Sequence, residues 1–174
     1  MRIIYLAGNS LKNKTWIEKV KENFDKFSTG EILYYNHWQT GDKNLNFKIE
    51  TTKLIEMVKD KQNYCIFAKS IGSVLALKTI YENNINPQKL IICGHPYNLA
   101  KELGLLIDDY LTSLSIPVIF IQNDFDPLFS FVDLEKVLIK NKVQNYTLIK
   151  NPGVNTHSYE DYKNLSQITK EFFK

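Results

Sequence analysis

The chain predicts an α/β fold: a three-layer sandwich with about six parallel strands and helices on both faces. Three observations carry this expectation. Short apolar runs rich in β-branched and aromatic residues alternate with segments of helical spacing along the whole length. The runs are apolar at successive positions, so both faces of each strand should be buried. Each run is followed by a helical segment, the order that brings the next strand back parallel to the last.

The first run, Ile3–Ala7, ends in the polar turn Gly8-Asn9-Ser10, and Trp16, Val20, Phe24 and Phe27 then recur every three or four residues. The second, Ile32–Tyr35, leads through Asn36-His37-Trp38 towards Leu54, Ile55 and Val58. The third, Tyr64–Ala68, passes through Lys69-Ser70 directly into Val74, Leu77, Ile80 and Tyr81. The fourth is Leu90–Cys93, followed by Gly94-His95. The stretch Gly94–Ser115 is the least regular. It holds Pro96 and a helix expected from Leu99 to Leu111, and Pro117 opens the next strand. The fifth run, Val118–Gln122, precedes Asn123-Asp124-Phe125-Asp126 and a helix marked by Leu134, Val137 and Leu138. The sixth, Tyr146–Ile149, precedes Asn151 to His157 and a closing helix expected over Tyr159–Phe173.

At 174 residues the chain is long enough for one well-buried domain spanning 1–174. No stretch approaches the ~18 consecutive apolar residues of a membrane span. The apolar start is too short for a signal segment and lacks a cleavage pattern, so the expected location is cytoplasmic. The net charge of +3 comes almost wholly from scattered lysines, with Arg2 the sole arginine. A nucleic-acid surface would need clustered basic residues and stacking aromatics, so none is expected. Cys65 and Cys93 sit within strand-like runs and should be buried thiols. The three histidines lack any adjoining ligand pattern, so neither a metal nor another cofactor is expected. Gly8-Asn9-Ser10 matches neither phosphate-binding glycine motif, which argues against a nucleotide site.

In a parallel sheet of this kind, ligands bind beyond the carboxyl ends of the strands. All three histidines follow strands and so fall on that edge. Ser70 stands at the apex of a strand-to-helix turn, where a side chain clears the backbone and the first helical amides face what it attacks. It could instead be a helix N-cap. A serine nucleophile needs a base and a group that orients the base. Asp126 and His157, after the fifth and sixth strands, can supply them. Asp124 is a second possible acid or a turn former, and His157 could be an ordinary surface-loop histidine.

The order Ser70, Asp126, His157 resembles that of the α/β-hydrolase superfamily. Three motifs carry the likeness: Ala68-Lys69-Ser70-Ile71-Gly72 as nucleophile elbow, Gln122 to Pro127 as acid loop, and Gly153-Val154-Asn155-Thr156-His157 as base loop. Leu6-Ala7-Gly8-Asn9-Ser10 resembles the family's His-Gly loop, with Ala7 in place of the histidine. Ala68 replaces the first glycine of the elbow, and the family's two antiparallel N-terminal strands and large cap have no counterpart. The resemblance implies a small, lidless serine hydrolase. Its triad acid would be Asp126, and its oxyanion hole the amide of Ile71 with that of Asn9 or Ser10. The substrate would be a small acyl compound cleaved at an ester, thioester or related bond. Trp38, Tyr97, Phe125, Leu128 and Phe129, near the same edge, could form a pocket with His95 or could be ordinary core or lid packing. Some relatives work mainly by binding protein partners, so a hydrolase-fold binding protein with little turnover is the alternative.

Overall fold

The computed structural model describes residues 2–173. Six strands form one parallel sheet: β1 (Arg2–Leu6), β2 (Thr29–Ile32), β3 (Tyr64–Lys69), β4 (Leu90–Cys93), β5 (Val118–Asn123) and β6 (Tyr146–Asn151). Their order across the sheet is β2-β1-β3-β4-β5-β6. The chain leaves β1 in one direction and β3 in the other. The loops after these two adjacent strands therefore flank a crevice at the carboxyl edge, the position where open α/β sheets bind ligands.

The helices are α1 (Lys12–Phe24), α2 (His37–Thr40), α3 (Phe47–Val58), α4 (Ile71–Tyr81), α5 (Tyr97–Glu102), α6 (Ile107–Thr112), α7 (Phe131–Lys140) and α8 (Tyr162–Phe172). The crossovers split them between the two faces. On one face α1 packs on α8, and on the other α4 packs on α3 and α6. α1 turns Trp16, Ile17, Val20 and Phe24 inward, while α4 is buried over most of its circumference. β3, β4 and β5 are buried at every position, as their unbroken apolar runs require. Phe67 at the centre touches Phe24 edge-on, with ring centroids 5.1 Å apart. Full burial of one such ring contributes about 1.5–3 kcal/mol. Cys65 and Cys93 are both buried in this sheet.

The structure departs from the sequence reading in three places. β2 lies at Thr29–Ile32, not Ile32–Tyr35. The apolar residues Leu33 and Tyr35 are buried beyond the strand, and the edge strand itself is largely polar. The helix expected from Leu99 to Leu111 is two short helices divided by a turn at Gly104. The closing helix begins at Tyr162, capped by Asp161, which leaves Tyr159 in the preceding loop.

Candidate active site

The turn between β3 and α4 is built by backbone contacts. Ser70 adopts φ 52° and ψ −126°, a conformation that costs an L-residue about 1–3 kcal/mol. Its amide donates to the Cys93 carbonyl at 3.0 Å, which ties the turn to β4. Gly72 lets α4 approach β1: a Cβ there would stand 2.5 Å from the Ala7 carbonyl oxygen and 2.8 Å from that of Leu6. The Ser70 side chain caps nothing, which removes the helix-cap reading of this residue. By contrast, Asn46, Ser130 and Asp161 do cap α3, α7 and α8.

Asp126 and His157 meet from adjacent loops. The His157 Nδ1 lies 2.8 Å from one Asp126 oxygen and 3.0 Å from the other. The carboxylate also accepts from the Tyr159 hydroxyl at 2.7 Å and the Leu128 amide at 2.9 Å. Burial pushes the Asp126 carboxyl up, but the hydrogen bond and charge of His157, with the Tyr159 and Leu128 donors, outweigh it and hold it below the usual range. Burial drives the Tyr159 phenol far upward, so it remains a donor. Asp124 has a different job. It pairs with Lys150 at 3.3 Å and accepts from the Gly153 amide.

The loop bearing His157 is sewn to the loop after β5 by a backbone bond from the Phe125 amide to the Val154 carbonyl at 2.9 Å and by several side chains. The Asn123 amide group donates to the carbonyls of Thr156 at 2.7 Å and Ser158 at 2.9 Å, and Asn151 donates to Asn123 at 2.8 Å. Trp16 donates to the Tyr159 carbonyl at 2.8 Å. Gly94 leaves room for the result, since a Cβ there would lie 2.8 Å from the His157 ring. The His157 Nε2 is buried and has no hydrogen-bond partner, so Ser70 and His157 are not bonded to each other. That bond is often long in free enzymes and tightens with substrate.

The loop after β1 is equally fixed. The Asn9 side chain donates to the Lys43 carbonyl at 3.1 Å and accepts from the Leu45 amide at 2.9 Å. Its own carbonyl accepts from His37 Nε2 at 2.7 Å and Trp38 Nε1 at 2.9 Å. Asn9 and Ile71 line one cavity of about 290 Å³, whose other walls are Asn44, Leu45, Phe47, Leu99, Leu103 and Leu105.

None of the residues expected to form a pocket lines this cavity. Trp38 faces a separate cavity with Lys14, Glu18, Tyr34, Tyr35 and Gln39. Tyr97 and Phe129 are buried against each other, with ring centroids 5.1 Å apart, and Tyr97 donates to Asp108. His95 is completely buried, bonded to Ser73 at 2.9 Å, and burial lowers its pKa to about 3. Phe125 and Leu128 are exposed on the acid loop. The walls of this cavity escaped the sequence reading because they come from α3, α5 and two loops distant in sequence. Tyr159 was missed because its spacing continues that of the following helix. Lys69 is buried beside Ser70, donates to Asn13 at 2.8 Å and lies over the Trp16 ring. Desolvation lowers its pKa. Among the described residues no group of three or more His, Cys, Asp or Glu is placed to hold a metal ion, and no helix is long and apolar enough to cross a membrane.

No family model matches the chain, and no curated protein matches it in sequence. Its similarity to solved structures is extensive. Est1E from Butyrivibrio proteoclasticus, solved with ferulic acid bound, superposes with a TM-score of 0.77 at 14% identity over 99% of this chain and 87% of that one. Dienelactone hydrolase from Anabaena variabilis ATCC 29413 gives 0.73 at 16% identity over 99% and 84%. An uncharacterised protein from Bacillus cereus ATCC 10987 gives 0.73 at 18% identity over 98% of this chain. The present chain spans 59% of that protein's length. With its single parallel sheet, helices on both faces and this likeness over nearly every residue, the chain has the α/β-hydrolase fold.

Proposed function

We propose that the protein is a serine hydrolase acting on an ester, thioester or related acyl bond. The observation that carries this reading is the His157 ring. Its Nδ1 is held by the buried Asp126, and its Nε2 is buried with no partner. That arrangement suits a base waiting for a proton. Ser70 Oγ would attack the acyl carbon as its proton passes to His157 Nε2. Asp126 would fix the tautomer and stabilise the imidazolium. The negative oxygen of the tetrahedral intermediate would take the Ile71 amide, which as the first of α4 has no acceptor within the helix, and one amide from Asn9 or Ser10. His157 would then protonate the leaving group, and a water activated by the same nitrogen would release the acid. This chemistry asks for no cofactor.

The apolar cavity between Leu45, Phe47, Leu99, Leu103 and Leu105 supports an apolar acyl group. A cavity of ~150 Å³ holds a benzene molecule, so one of about 290 Å³ suits a medium aliphatic or aromatic acyl chain. Hydrolase and esterase neighbours agree with a small-molecule substrate. The second reading is a hydrolase-fold binding protein with little or no turnover. A fluorophosphonate probe and a p-nitrophenyl ester series decide between them. Wild type should be labelled and should turn over esters, and Ser70→Ala should do neither. An unlabelled wild type, or equal labelling of the variant, rejects the enzyme.

A further inference from the structure

The sequence places three histidines on the catalytic edge, and the proposed chemistry uses only His157. The other two sit behind the two halves of the oxyanion hole. On one side, the Asn9 carbonyl accepts from His37 Nε2 and Trp38 Nε1 at 2.7 and 2.9 Å. That carbonyl shares a peptide unit with the Ser10 N–H. On the other side, the Ser70 carbonyl accepts from the Ser73 amide at 2.8 Å and the Ser73 hydroxyl at 2.7 Å. That carbonyl shares a peptide unit with the Ile71 N–H. The Ser73 hydroxyl has a single proton and gives it to Ser70. The contact of 2.9 Å with His95 Nδ1 must therefore be a bond donated by the histidine. His95 and Ser73 thus form a directed chain ending on the nucleophile's own carbonyl.

We propose that His37, Trp38, Ser73 and His95 are positioning residues that aim and polarise the two oxyanion-hole amides, Ser10 N–H and Ile71 N–H. The proposal rests on the serine-hydrolase reading and selects Ser10 over Asn9 as the second donor. A trans peptide is planar, with its N–H opposed to its C=O. Two donors on the oxygen therefore fix the direction of the hydrogen. Hydrogen bonds in a chain also polarise one another, which makes the opposed N–H a stronger donor. Donors set before the reaction need not reorganise as charge develops. Both histidines are tautomers set for this task. His37 donates from Nε2 and its buried Nδ1 has no partner, while His95 donates from Nδ1 and its buried Nε2 has none. Burial lowers the His95 pKa to about 3, so the ring stays neutral and the chain keeps its direction.

The test uses Trp38→Phe and Ser73→Ala, each keeping most of the side-chain volume. Turnover of p-nitrophenyl butyrate should fall about tenfold in kcat for each, with KM unchanged. Affinity for butylboronic acid should fall by the same factor, because its tetrahedral adduct on Ser70 uses the same hole. A merely structural role would change thermal stability or KM and leave the ratio of boronate to butyrate affinity untouched. Unchanged kcat in both folded variants overturns the proposal. If Ser73→Ala does not fold, Trp38→Phe alone decides, since it leaves the β3–α4 turn intact. Failure of the underlying reading looks different: wild type would then be unlabelled and inactive, or Ser70→Ala would retain wild-type turnover.

Discussion

The turn at Ser70 and the loop bearing His157 lie at the same sheet edge but are held by different balances of backbone and side-chain contacts. The turn at Ser70 is buried, strained and fixed by backbone contacts to β1 and β4. The base loop from Pro152 to Glu160 is mostly exposed or half-buried, and side-chain amides and hydroxyls hold it to β5 and the acid loop. A turn set by main-chain geometry tolerates few residue types, so it leaves a readable pattern. A loop set by scattered side-chain bonds leaves almost none.

Breaking the base side at its chemical centre should have the largest effect. Asp126→Asn should leave the fold intact but favour the wrong tautomer of His157, lowering kcat by about 10⁴-fold. Steady-state kinetics beside a thermal melt checks this, and a loss below tenfold would remove Asp126 from the triad. Acid exposes a contrast next. His95 behind the turn titrates near 3 when folded but near 6.5 when unfolded. The unfolded chain therefore binds the extra proton as pH falls below 6.5, and stability drops by on the order of 4–5 kcal/mol towards pH 3. The lowered Asp126 carboxyl acts in the same direction. Melting series of wild type and His95→Leu should show a shallower acid decline in the variant, and parallel curves would disprove the assignment.

A paired comparison sharpens the difference further. Gly72→Ala drives a methyl into the β1 carbonyls and should cost about 3 kcal/mol of global stability. Asn123→Ala removes the bonds to Thr156 and Ser158 and should cost about 1–2 kcal/mol. In the second variant, hydrogen exchange should rise in residues 152–161 while the sheet stays protected. Equal protection losses across the sheet in both variants would show that the two regions are held alike.

Much of the fold was legible because each element announces itself locally. The apolar runs at Tyr64, Leu90 and Val118 became central strands, and Ser70 stood at the turn the pattern required. β2 was displaced because an edge strand can be polar, while the nearby apolar residues Leu33 and Tyr35 are buried outside the ladder. Asp126 and His157 could be picked out because each follows a strand. The bond between them, and the pairing of Asp124 with Lys150, belong to tertiary structure. The cavity walls and Tyr159 were illegible for that reason: Leu45, Leu99 and Leu105 look like any core leucine until the loops meet.

The missing side chain at Gly72 has a wider consequence. It lets α4 rest on the carbonyls of Leu6 and Ala7 with nothing between them. The segments bearing Asn9 and Ile71 are thus spaced by bare main-chain contact, a gauge that no rotamer change can reset. The leucine-lined cavity beside them carries no such constraint. Its walls can be rebuilt while the gauge stays at the same setting.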